Sequence, residues 1–141
     1  MQINMPFRPV AVEIRRLCLP FFIDYVPAGF PSSAAGYEDA SLDINEHIIR
    51  HPSATYFVGA SGDSMIGVGI FDGDLLVVDK SLKPEHGHIV VAEIDGQFTV
   101  KRLILRPKPS LEPVNSAYRP LPVSDDLVIW GVVTNVIHGL L

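Results

Sequence analysis

A second cysteine is missing from this chain. Cys18 stands alone, so no internal disulfide can form and nothing in the sequence asks for an oxidising compartment. Long apolar runs are missing too: the longest uncharged one near the start, Leu17 to Ile23, has seven residues and contains Pro20, too short to span a bilayer. Arg15-Arg16 before that run and the small Ala28 behind it sketch a secretory signal, but Asp24 breaks the segment. A surplus of positive charge is also absent. With a net charge of -5, tight unaided binding to a phosphate backbone is disfavoured, because that affinity comes from clustered Lys and Arg. The nearest basic group, Lys101, Arg102, Arg106 and Lys108, is a short charge group on a hairpin and does not read as a nucleic-acid groove. The expectation is a cytoplasmic protein with no membrane segment and no direct, specific DNA binding.

Metal-binding patterns are incomplete. His47 and His51 stand four apart but have no Glu or Cys partner at ligand spacing. Asp72-Gly-Asp74 lacks the remaining ligands of a calcium loop and reads as a β-turn. No metal and no other cofactor is expected.

What is present is material for one core and an appendage, in 141 residues of which 48% are hydrophobic. Twelve prolines favour extended segments and turns over a helix bundle, so a mainly β core is expected. Residues 1–40 carry five of those prolines and a small-residue cluster at 32–36, and read as an N-terminal arm without its own core. The remaining residues, 41–141, form the expected β domain. A short helix is predicted from Leu42 to about Arg50, capped by Ser41 or Asp43 and ended by His51-Pro52. Strand-like runs follow at 54–60, 75–79, 89–94, 98–105 and 127–137, enough for a small barrel or folded sheet, with a bend at Gly131.

Between the third and fourth runs lies Asp95-Gly96, the turn chemistry of a tight hairpin with positive φ at both central residues. That turn sets Ile94 opposite Gln97, Ala92 opposite Thr99 and Val90 opposite Lys101. By strand alternation Thr99, Lys101, Leu103 and Leu105 share one face, which puts a lysine among mostly apolar neighbours.

Ser64 lies at the centre of Ala60-Ser-Gly-Asp-Ser-Met-Ile66. A serine hydroxyl becomes a useful nucleophile only with a base in reach. His86 and His88 sit in a turn before a strand, an unfavourable place for that base. The hydrolase elbow is not satisfied, because Gly62-Asp-Ser-Met-Ile66 has no second glycine. Lys101 remains, since burial would lower its pKa from about 10.4 toward values where a neutral amine exists and can take the serine proton. The plainer alternative is a turn serine capping a short helix, with a strand lysine whose head reaches water. The residue types alone leave both readings open.

Ala60-Ser-Gly-Asp-Ser-Met-Ile66, Gly69-Ile-Phe-Asp-Gly-Asp-Leu-Leu-Val-Val78, His86-Gly-His-Ile-Val-Val91, Phe98-Thr-Val-Lys101 and Asn115-Ser-Ala-Tyr118 occur in order. Together, from roughly Phe21 onward, they resemble the UmuD/MucA branch of the LexA-type (S24) self-cleaving serine peptidases. The resemblance implies a LexA/signal-peptidase-like folded β-sheet with an extended arm, Ser64 as nucleophile and Lys101 as general base. It implies self-cleavage in the arm at Ala28-Gly29, with the backbone N–H groups of Asp63 and Ser64 as candidate oxyanion donors. It further implies an SOS-response switch: a RecA–single-stranded DNA filament promotes cleavage, and the trimmed homodimer joins a UmuC-like Y-family polymerase for error-prone lesion bypass. Position 67 is Gly where UmuD-like chains can carry an acid, and the proline-broken arm does not suit a repressor's helix-turn-helix. Two other classes stay in view, a non-catalytic polymerase accessory protein and a signal-peptidase-like protease acting in trans.

Overall fold

The computed structural model describes residues 2–3, 15–22, 25–31, 39–123 and 125–141. The small-residue cluster at 32–36 and much of the first part of the arm lie outside the described residues. The strands in chain order are β1 (Gln2–Ile3), β2 (Leu19–Phe22), β3 (Asp39–Leu42), β4 (Thr55–Gly59) and β5 (Leu75–Asp79). They continue with β6 (Ile89–Ile94), β7 (Gln97–Ile104), β8 (Ser110–Glu112), β9 (Leu121–Pro122) and β10 (Val128–Ile137). One α-helix, α1 (Ile44–Ile48), and single 3-10 turns at Pro52–Ala54 and Ile66–Val68 complete the described elements. The protein is mainly β, as its prolines and alternating runs predict. Two compact units divide it: Val12–Arg50, and Met1–Ala11 with His51–Leu141.

In the smaller unit β2 and β3 pair antiparallel, Leu19 opposite Leu42 and Phe21 opposite Ala40. This ribbon was not legible in the sequence, because Pro20 sits within β2 and proline is confined to strands with a free edge. A ribbon of two strands has only free edges. α1 is shorter than predicted at both ends. Ser41 and Leu42 are engaged in β3, and the Asp43 side chain caps the helix by accepting from the Asn45 N–H at 3.1 Å. Ile49 is already extended, so the helix stops one turn before His51-Pro52.

The larger unit is one sheet of eight described strands in the order β4-β5-β10-β6-β7-β8-β9, with β1 alongside β10 as its one parallel pairing. Apolar residues alternate between its faces and build two clusters. Val90, Ala92, Leu103, Leu111, Leu127, Ile129 and Val132 form one; Met65, Ile70, Leu76, Val78, Val91 and Trp130 form the other. Each fully buried aliphatic side chain contributes roughly 1.5–3 kcal/mol relative to exposure.

The β6–β7 hairpin has the predicted register, Ile94 opposite Gln97, Ala92 opposite Thr99 and Val90 opposite Lys101. Its turn takes positive φ at both residues, 52° at Asp95 and 76° at Gly96. β10 is irregular where Gly131 forecast a bend. Ile129 pairs with Ala92 but the next pairing is Gly131 with Val91, so one extra residue is inserted. The insertion turns Val132 to the same cluster as Ile129, which strict alternation would forbid. Glycine is required there because a Cβ would lie 2.6 Å from Val78 Cγ1. The short strands β8 and β9 were hidden by Pro113, Pro120 and Pro122; Pro122 is tolerated because β9 is an edge.

Candidate active site

Ala60–Ile66 leaves the end of β4 and is held from two sides. On one side the Asp72-Gly-Asp74 turn works as a prop. The Ala60 N–H donates to Asp74 O and the Gly73 N–H to Ala60 O, both at 2.8 Å, while the Asp72 carboxylate accepts the Gly62 N–H at 2.8 Å. The buried Asp74 side chain accepts from Phe71 N–H at 2.7 Å and pairs with His138. Those hydrogen bonds, led by His138, hold its carboxyl below the ordinary range. Both acids therefore serve the β-turn expected at this position.

On the other side the segment at 113–118 grips the serine's neighbours. The Val114 N–H donates to Ser64 O and the Gly67 N–H donates to Val114 O, each at 2.7 Å. Gly67 has no room for a side chain, since a Cβ would lie 2.6 Å from Val114 O. Asn115 Nδ2 donates to Asp63 O at 2.9 Å, and the Tyr118 hydroxyl donates to the Asp63 carboxylate. Met65, next to Ser64, is buried in the second cluster and anchors the turn from below. Ser64 does not cap the 3-10 turn that follows, whose N-cap position is Met65 with no side-chain cap. Its hydroxyl is left for another partner.

That partner is Lys101. Its Nζ lies 3.0 Å from Ser64 Oγ, 2.9 Å from Thr99 Oγ1 and 3.1 Å from Val100 O. An ammonium can donate one N–H to each of the three. A neutral amine can donate to Thr99 Oγ1 and Val100 O while its lone pair accepts the Ser64 hydroxyl proton. Both protonation states are thus satisfied by the same positions, and burial tips the balance by lowering the Lys101 pKa. Thr99 is a participant that sequence reasoning placed only as a face-mate; its spacing of two from the lysine on a strand was the available signal.

Ser64 and Lys101 open on a cavity of about 280 Å³ whose walls include Gly59, Met65, Ile70, Val91 and Phe98. The N–H groups of Asp63 and Ser64 donate to nothing among the described residues. The rejected bases are occupied elsewhere: His86 Nδ1 accepts the Leu105 N–H at 3.0 Å and His88 Nδ1 the Glu85 N–H at 3.1 Å. His51 Nδ1 lies 2.6 Å from Asp79, and His47 is exposed on α1. Burial pushes the Asp79 carboxyl up, but the His51 and Ser81 hydrogen bonds outweigh it and leave it low. Among the described residues no group of three or more potential metal ligands converges, and no helix is long and apolar enough to cross a membrane. Ala28 and Gly29 belong to the smaller unit, where they lie in an exposed bend between Tyr25 and Pro31.

Residues 20–134 match the family model described as Peptidase S24-like. Protein ImpA of Salmonella typhimurium is 54% identical over 121 residues, 84% of this chain and 83% of that protein. Protein MucA of Escherichia coli is 52% identical over 120 residues, 83% of this chain and 82% of that protein. The LexA repressor of Alcanivorax borkumensis is 40% identical over 115 residues, 80% of this chain but 56% of the repressor.

Proposed function

Because the chain belongs to the Peptidase S24-like family, we propose that it is a self-cleaving serine peptidase in which Ser64 attacks its own arm at Ala28-Gly29. The observation that carries this reading is the 3.0 Å approach of Lys101 Nζ to Ser64 Oγ in a part-buried site where the lysine pKa is lowered. Neutral Lys101 accepts the Ser64 proton as Oγ adds to the Ala28 carbonyl carbon. The negative charge on the carbonyl oxygen is met by the Asp63 and Ser64 N–H groups. Collapse of the tetrahedral adduct breaks the Ala28–Gly29 bond, and Lys101 gives its proton to the leaving amine of Gly29. Water then attacks the acyl-serine, releasing residues 1–28 and restoring the hydroxyl. The product is residues 29–141.

In this reading the cut is a switch. Its trigger is a RecA filament on single-stranded DNA, and the trimmed chain, as a homodimer, serves as accessory subunit of a UmuC-like error-prone polymerase. The support is the run of UmuD-like motifs from Ala60 to Tyr118, together with the 54% identity to ImpA over 121 residues. The test is intact mass before and after incubation with RecA, ATP and single-stranded DNA. Loss of residues 1–28 from the unmutated chain, and not from Ser64→Ala or Lys101→Ala, is the expected result. Processing at the same bond in Ser64→Ala would return the chain to the non-catalytic accessory reading.

A further inference from the structure

Three contacts converge on the two residues that precede and include the nucleophile, and all come from one segment. Asn115 is the pivot. Its Oδ1 accepts the Ala117 N–H at 3.0 Å, its backbone O accepts the Tyr118 N–H at 3.1 Å, and its Nδ2 donates to Asp63 O at 2.9 Å. The same side chain therefore folds its own turn and grips the turn of the serine. Tyr118, at the end of that turn, donates its hydroxyl to the Asp63 carboxylate. Val114, at its start, donates its N–H to Ser64 O.

The Asp63 carbonyl and the Ser64 N–H belong to one peptide unit. In a planar trans unit these two groups point in opposite directions, so whatever fixes the carbonyl also fixes the N–H. The next unit is fixed in the same way by Val114 through Ser64 O. With no acceptor of its own among the described residues, the Ser64 N–H is aimed only through its partner carbonyl.

We propose that Asn115 is a positioning residue that orients the Ser64 N–H as an oxyanion donor by holding the Asp63 carbonyl, with Tyr118 fixing the same residue through its side chain. The inference rests on the reading of Ser64 as the nucleophile. Asn115 hydrogen-bonds neither Ser64 Oγ nor Lys101, so its contribution separates from proton transfer. It acts on the charge that develops on the scissile carbonyl, where loss of one donor typically costs about 10²- to 10³-fold in rate. An imperfectly aimed donor should cost less, on the order of tenfold or more.

Asn115→Asp isolates the bond. It keeps an oxygen to accept the Ala117 N–H but loses the donor and turns a carboxylate toward the Asp63 carbonyl. Two readouts are needed, the self-cleavage rate across pH and the affinity for a Val-Pro-boroalanine boronic acid, which matches Val26–Ala28 and forms a tetrahedral anion on an active serine. The expected result is a rate at least about tenfold lower at every pH, an unmoved pH midpoint, and boronate affinity weakened by a similar factor. Tyr118→Phe should move both in the same direction by a smaller factor. If N115D melts early, N115A, which adds no charge, carries the same expectation per folded molecule. Unchanged cleavage and boronate binding would overturn the proposal, as would a loss that appears only as a shifted pH midpoint or only in step with the unfolded fraction. Continued cleavage by Ser64→Ala would instead overturn the nucleophile reading beneath it.

Discussion

Among the described residues of Val12–Arg50 only Asp43 is buried, while Leu19, Phe22, Tyr25 and Phe30 are 55%, 59%, 96% and 95% exposed. In the sheet of His51–Leu141, Leu76, Leu103, Leu111 and Ile129 are each fully shielded. Both units use antiparallel pairing, so hydrogen-bonded strands alone do not separate them; buried area does. A two-stranded ribbon with exposed side chains is marginal in water, whereas a sheet with two packed faces stands on its own. A bond that is to be cut must present its backbone, and exposed, weakly packed segments are where chains are nicked. The proposed scissile bond lies in the loosely packed unit and the proposed nucleophile in the densely packed one.

Substitutions that remove chemistry without touching packing test this contrast hardest. Ser64→Ala or Lys101→Ala should slow self-cleavage by at least about a thousandfold, measured by intact mass, while the melting temperature moves only slightly. Next come paired truncations, one in each unit. Leu103→Ala should cost about 2–5 kcal/mol in urea unfolding, and Leu19→Ala less than about 1 kcal/mol. Comparable costs would erase the distinction. Gly131→Ala should lose roughly 1–3 kcal/mol, because its Cβ would drive into Val78 at the β10 insertion.

A smaller effect concerns pH and rate. With the Lys101 pKa lowered by burial, unassisted cleavage should rise about tenfold per pH unit and level off below the ordinary lysine value of about 10.4. A flat profile with the fold intact would remove Lys101 as base. The smallest concerns acid stability. Asp74 and Asp79 are held below the usual aspartate value, so the stability they add is present above about pH 3.9 and is lost as pH falls through their folded values. His138→Ala should flatten the fall in melting temperature over that range. The drop should be undiminished when His47, exposed on α1, is changed instead.

Legibility in the sequence followed locality. The Asp95-Gly96 turn carries its own geometry, so it announced the hairpin, its register and the face of Lys101. The Ser64 turn and the lysine could be named, but only the structure brings them to 3.0 Å, because no rule of spacing ties residues 37 positions apart. Short strands in proline-rich stretches were missed where edge position, a tertiary property, makes proline acceptable. Asn115 and Tyr118 were visible as a motif yet had no role, since their partner Asp63 is distant in sequence and is gripped partly through its main chain.

The lone tryptophan has an optical consequence. Trp130 is almost wholly shielded, its ring nitrogen donates to Glu93 at 2.9 Å, and its ring meets Phe98 with centroids 5.4 Å apart. Phe98 is also a wall of the cavity beside Ser64 and Lys101. The protein's one indole chromophore thus sits a single ring from the cavity beside Ser64 and Lys101, and its ultraviolet emission should change when that cavity is filled.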